Sequence, residues 1–206
     1  MLIFGYLGGT VEDAALAQVK INPTLTLNIQ QGLAKINANR PAEAKLYAEK
    51  AIAMNAKSAD AFFLLGLAED AIGEKENAIK SYDKAIQLNP RLAKAYSNRA
   101  LIKAGQGNLK SAISDIDKAL SIDPKLSAAY VNRGVAKGAM GDTKGAIEDF
   151  SKALNANPSN ANAHRNRGLT REMVGDIKGA CYDWKAAASL GLTDAAIWHR
   201  SQCLKK

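Results

Sequence analysis

The chain has 206 residues, 47% of them hydrophobic and 23% charged, the balance of a folded protein rather than a disordered one. Its net charge is +8, yet Asp and Glu are interspersed along every segment and no run of five like charges occurs, which weighs against a nucleic-acid footprint. No stretch approaches the roughly 18 apolar residues of a transmembrane helix, and abundant Ala, Leu and Lys with five prolines favour helix throughout.

Residues 1–24 form an N-terminal segment with two readings. MLIFGYLGG is apolar, and Ala15-Leu16-Ala17 has the small-x-small shape of a signal-peptidase site. No Lys or Arg precedes that stretch, however, and Glu12 and Asp13 stand where cleavage regions are neutral. The other reading is an amphipathic helix from Val11 to Ile21, with Thr10 as N-cap and Asp13 at the third helical position.

From residue 25 the chain repeats on an interval of 34, giving units 25–58, 59–92, 93–126, 127–160 and 161–194. Pro90, Pro124 and Pro158 keep this spacing, as do Tyr96, Tyr130 and His164. So do Ala78, Ala112, Ala146 and Ala180, and then Ala85, Ala119, Ala153 and Ala187. A fixed period of roughly 20–50 residues means one supersecondary unit copied end to end. Each unit holds two helical patterns joined by a turn: Gly73-Glu74, Gly107-Asn108, Gly141-Asp142 and Gly175-Asp176. Proline near the unit's end stops the second helix, so an antiparallel pair results. Small residues (Gly66, Ala100, Gly134, Gly168 and the alanine columns) alternate with large ones (Phe62, Tyr96 and Tyr130, then Tyr82, Ile116, Phe150 and Trp184). Large-into-small contact is how close helix pairs reach native density.

These columns resemble the tetratricopeptide repeat family, whose pattern runs aromatic, Leu-Gly, Ala, aromatic, Ala, Pro at the same offsets. The resemblance spans the five units and implies an all-α, right-handed solenoid of five helix pairs. The first unit departs, with Asn28, Ala48 and Ala56 where an aromatic, an aromatic and proline are expected, as a degenerate end repeat does. The last unit runs through Ser189-Leu190-Gly191 into a C-terminal capping helix, about Asp194 to Leu204, and residues 195–206 form the terminal capping region beyond the fifth unit. Its stretch GACYDWKAAASLG also resembles the end of small bacterial and cyanobacterial proteins of the family.

Cys181 and Cys203 stand almost equally far before and after Gly191, so an antiparallel hairpin sets them at one height. A disulfide there would tie the cap to the last repeat and imply an exported, oxidising setting. The alternative is two reduced thiols in an apolar seam, which suits the cytoplasm.

A stack of such units builds an extended concave surface, lined in this family by the first helix of every unit. The sixth position reads Gln30, Leu64, Asn98, Asn132, Asn166. An amide both donates and accepts, so three successive asparagines suit the backbone of an extended peptide. The arrangement resembles the asparagine ladder in the superhelix of the O-linked N-acetylglucosamine transferase. Lys94, Asn98 and Asn132 also resemble the first parts of the carboxylate clamp of chaperone-binding domains. Asn162 and Asn166 replace its Lys and Arg, although Arg165 is adjacent. The expected groove therefore comprises Lys94, Asn98, Asn132, Asn166 and Arg165, over an apolar floor of Phe63, Leu67, Leu101, Val131, Val135 and Leu169.

Arg99, Arg133 and Arg167 follow the asparagines and are expected to reach nearby carboxylates, their stems covering the helix pair. Asp115, Asp117, Glu148 and Asp149 are expected to face outward in surface ion pairs. His164 reads as a packing substitute in an aromatic column. No Cys/His spacing suggests a metal and no phosphate-loop pattern occurs, so no cofactor and no enzyme activity is expected. The function expected is a non-enzymatic scaffold, adaptor or assembly factor for a protein or peptide partner. A nucleic-acid binder using the basic surface is the rival class.

Overall fold

The computed structural model describes residues 22–204. Both readings of the N-terminal segment, the helix from Val11 to Ile21 and the export signal, lie outside the described residues. The described chain forms eleven α-helices in a right-handed solenoid. Five antiparallel pairs follow one another: α1 (Pro23–Asn37) with α2 (Pro41–Met54), α3 (Ala59–Ala71) with α4 (Lys75–Leu88), and α5 (Ala93–Gly105) with α6 (Leu109–Ile122). Then come α7 (Ser127–Ala139) with α8 (Thr143–Ala156), and α9 (Ala161–Met173) with α10 (Ile177–Ser189).

Local chemistry starts and stops these helices. The side chains of Asn22, Ser58, Asp142, Asn160 and Asp176 accept hydrogen bonds from first-turn amides. Gly73, Gly107, Gly141 and Gly175 end the first helices with φ between 81° and 89°, a backbone state that costs glycine nothing. In the first unit Asn39 holds the same place at φ 55°, the left-handed region that asparagine tolerates best.

The alanine columns are the seams. All ten alanines, at Ala44 and Ala51 and at their counterparts in the later units, are 0% exposed, so at these points the second helices meet their neighbours through no more than a methyl group. Where alanine is still too large, glycine appears. A Cβ on Gly134 would sit 2.7 Å from the Phe150 ring, and one on Gly168 2.6 Å from Trp184 Nε1. Tyr82, Phe150 and Trp184 thus lie against the backbone of their partner helices at Gly66, Gly134 and Gly168.

First helices also touch along the row, α1 on α3, α3 on α5, α5 on α7 and α7 on α9, while successive second helices do not pack together to that extent. The row therefore bends with first helices on the inner curve and second helices splayed outside.

The end of the chain differs from the sequence expectation. The cap is a short α-helix, α11 (Thr193–Trp198), continued by a wider π-helical turn over His199–Cys203 rather than one α-helix to Leu204. Gly191 makes the turn at φ 98°, and Cys181 is bonded to Cys203 with Cα atoms 5.7 Å apart. Trp198 lies against Trp184, centroids 6.1 Å apart, covering the last pair. Closing a loop of this length contributes about 3 kcal/mol by the chain-entropy estimate. Cys203→Ser is therefore expected to loosen the cap by about that amount, read as faster amide exchange confined to α11 and the turn after it.

Candidate functional site

The inner curve carries two side-by-side columns. Leu33, Leu67, Leu101, Val135 and Leu169 recur at the ninth position of the five units. Leu101 is 52% and Val135 50% exposed, in a molecule whose alanine seams are fully closed. Asn98, Asn132 and Asn166 stand half-buried at the sixth position of the last three units.

Several expected groove residues share depressions in this surface. Phe63 and exposed Lys94 line a hollow of about 390 Å³ together with Leu33, Asp60 and Arg91. Val135, Asn166 and Leu169 meet over the Phe150 ring in another of about 200 Å³, beside Thr170 and Met173. Leu101 borders a third of about 230 Å³, next to Asp70 and Gln106. Asn98 lies close to the buried Tyr82 hydroxyl without completing a hydrogen bond, and burial holds that phenol well above the usual tyrosine range.

Two residues expected in the groove are placed differently. Val131 is buried in a cluster with Phe150, Leu154 and Ala163, whereas Val135, one turn further along nearly the same face, stays half exposed. Arg165 reaches sideways: its Nη1 donates to Asp194 Oδ2 at 3.3 Å and its Nε to Asn166 Oδ1 at 3.4 Å, so it ties the cap to the last pair. Leu33, which sequence reasoning passed over, belongs to the apolar column; its place one period before Leu67 is the cue.

Between the repeats runs a ladder of buried charge. Arg99, Arg133 and Arg167 each grip a carboxylate of their own unit with two nitrogens, at 2.8 and 2.6 Å to Asp115, 2.9 and 2.7 Å to Asp149, and 2.9 and 2.8 Å to Asp183. The third nitrogen reaches back to the preceding unit, to Asp83, Asp117 and Ser151 respectively. Lys103, Lys137 and Arg171 complete the rungs at 2.8 Å. The arginines behave as the sequence suggested, and none is free in the groove. Asp115 and Asp149 do not face outward as expected: both are buried, since each must meet an arginine and a second cation from its partner helix. His164 is likewise more than a packing substitute, with Nδ1 3.0 Å from Asp183 and Nε2 3.2 Å from the Pro158 carbonyl oxygen.

Burial would raise Asp149, but hydrogen bonds from Arg133 and Lys137 outweigh it and hold the carboxyl below the usual range; Asp115 behaves alike. The second unit lacks this device. Leu65, Glu69 and Ser81 occupy the three ladder positions, and burial pushes Glu69 up, opposed by a 2.6 Å bond from Ser81. Among the described residues no group of three or more His, Cys, Asp or Glu is placed to hold a metal ion.

Helix pairs stacked on one period, with an open inner face and no packed end-to-end core, define a helical-repeat scaffold. Family models described as tetratricopeptide repeats match residues 29–93 and 93–126, and one described as TPR repeat matches 138–175. The chain belongs to the tetratricopeptide repeat family, and in general terms it is a protein-interaction scaffold. No curated protein matches it. Among solved structures it is similar to pilF of Pseudomonas aeruginosa, at 20% identity and TM-score 0.78 over 88% of this chain and 87% of that one. It is also similar to TTC0263, a thermophilic TPR protein of Thermus thermophilus, at 17% identity and TM-score 0.73 over 88% and 100%. MamA of Desulfovibrio magneticus aligns at 19% identity and TM-score 0.66 over 87% and 97%. These likenesses concern the fold. Among the described residues, no helix is long and apolar enough to cross a membrane.

Proposed function

We propose that the protein holds an extended peptide or a partner helix along its inner curve, acting as an adaptor or assembly factor without catalysis. The observation that carries this reading is the apolar ninth-position column left open beside the asparagines. Leucine and valine recur there in every unit, yet Leu101 and Val135 stay about half exposed. Such a strip next to amides offers a peptide apolar pockets and backbone hydrogen bonds together. Lys94 and Phe63 supply one end of the track and Asn166 with Leu169 the other. The guanidiniums of Arg99, Arg133 and Arg167 are tied to buried carboxylates, so these three supply no free positive charge to the groove.

Each contact contributes modestly, so affinity comes from several rungs together. Peptides selected by display on the wild-type protein provide the probe. Asn98→Ala with Asn132→Ala is expected to abolish their binding in fluorescence anisotropy while Tm stays nearly unchanged. Leu101→Glu, at an exposed site, should weaken binding at least tenfold with a stability change within about 0.5 kcal/mol. Retained affinity in both variants would overturn the proposal. A large stability loss in the double variant would instead assign the amides to the solenoid's own structure.

A further inference from the structure

The outer curve carries a second pattern that the groove does not use. Lys50, Lys84, Lys118 and Lys152 recur once per unit on α2, α4, α6 and α8, and all four are exposed. Lys110, Lys144 and Lys178 form a parallel exposed column on α6, α8 and α10. Within one helix the two columns are eight residues apart, which sets them on one stripe about 12 Å along the axis. The residues midway between them add Lys80 and Glu148, and Glu76 lies in the second column, so lysines outnumber carboxylates eight to two on this stripe.

None of these eight lysines enters an ion pair among the described residues. Lys84 bonds only to the Gln87 amide, and Lys50 stands over the Tyr47 ring. Most aspartates of these helices are spent elsewhere, while Glu49, Glu76 and Glu148 stay exposed beside the lysines. Asp83 and Asp117 lie close to the lysine columns but are taken by Arg99 and Arg133, and Asp115, Asp149 and Asp183 are buried in the rungs. The ladder thus pulls carboxylates inward and leaves the back of the solenoid positive over at least four successive repeats.

We infer that this outer face docks the protein onto an anionic lipid surface, independently of what the groove holds. Three features favour a bilayer over a nucleic acid. The face is built of lysine without a single arginine in its columns, and lysine is a hydrated point charge rather than a bidentate phosphate fork. On α4, α6 and α8 the stripe offers no aromatic ring on which a base could stack; its two ends do carry rings, Tyr47 beneath Lys50 and the exposed Tyr182 on α10. The charges spread in two directions, along each helix and from helix to helix, which suits a continuous charged layer rather than a single strand. Lysines close to an anionic leaflet add attraction one by one and lose it within a Debye length, so docking is salt-sensitive and needs no insertion.

The test uses the full chain with vesicles of phosphatidylserine and phosphatidylcholine, against pure phosphatidylcholine. Sedimentation should show binding only to the anionic vesicles, falling at least tenfold when salt rises from low to about physiological strength. Lys84→Glu, Lys118→Glu and Lys152→Glu together should abolish it. Reversing Lys57, Arg91 and Lys125, which lie in the inter-repeat loops and carry the same charge change, should leave most of it. Equal loss in both triple variants would reduce the effect to net charge and overturn the assignment. So would binding no better than to neutral vesicles, or tighter binding to a duplex oligonucleotide than to the anionic vesicles in the same buffer. Circular dichroism of each variant establishes that the exposed substitutions leave the helices intact.

Discussion

Asp149→Ala is expected to lower the unfolding free energy by about 3–5 kcal/mol, the cost of stripping one partner from a buried ion pair. The carboxylate is 0% exposed and holds both Arg133 and Lys137; without it two neighbouring cations of α7 are left against a closed seam with no counter-charge. Replacing the pair together, as Arg133→Met with Asp149→Leu, should recover much of the loss, because apolar residues of like volume replace a buried pair at little cost. Acid supplies a second check with a defined sign. Asp115 and Asp149 titrate lower when folded than when unfolded. Their contribution is therefore complete above the ordinary aspartate range, near pH 4, and disappears as pH falls below it. Urea unfolding of wild type and of the double replacement between pH 7 and pH 3 should show wild type losing the greater share. A loss under about 1 kcal/mol for Asp149→Ala would mean that the rung is solvated in solution.

Trp184→Ala should be as damaging, about 3–5 kcal/mol, whereas Trp184→Phe should cost little. The indole is 1% exposed, lies on the Gly168 backbone and meets Trp198 of the cap, so alanine opens a cavity that rigid helices cannot close. Its Nε1 is buried with no hydrogen-bond partner among the described residues, and phenylalanine removes that orphan donor. Relief of the unpaired N–H, on the order of 1–3 kcal/mol, offsets most of the lost volume. Thermal unfolding of the two variants separates the cases: equal losses would mean that the indole nitrogen finds a partner in solution.

The solenoid was legible because its seams repeat in register. Alanine or glycine returning once per period has one structural meaning, and the alanines are all closed. The ladder was half legible. Arg99 and Arg133 could be read as carboxylate-bound, but Asp115 and Asp149 could not be read as buried, since an acid on a second helix ordinarily faces water. The cue was relational: each arginine precedes its aspartate by sixteen residues, three times over. In the groove, Val131 and Val135 look alike in sequence and share nearly one face of a helix; what separates them is the cover that Leu154 and Ala163 give the first. Arg165 was out of reach for another reason, because its partner Asp194 belongs to the cap, beyond the repeating pattern.

The rungs also make the molecule directional. Guanidinium stitches join the second pair to the third, the third to the fourth and the fourth to the fifth, and a covalent link secures the far end. The join between the first two pairs has a surface bond from Lys45 to Glu74 instead, with Leu65 where a stitch would start. Thermal breathing should peel from that side, like a zip fastener loose at one tab. A long guest could then thread in lengthwise there, without the rest of the trough having to part.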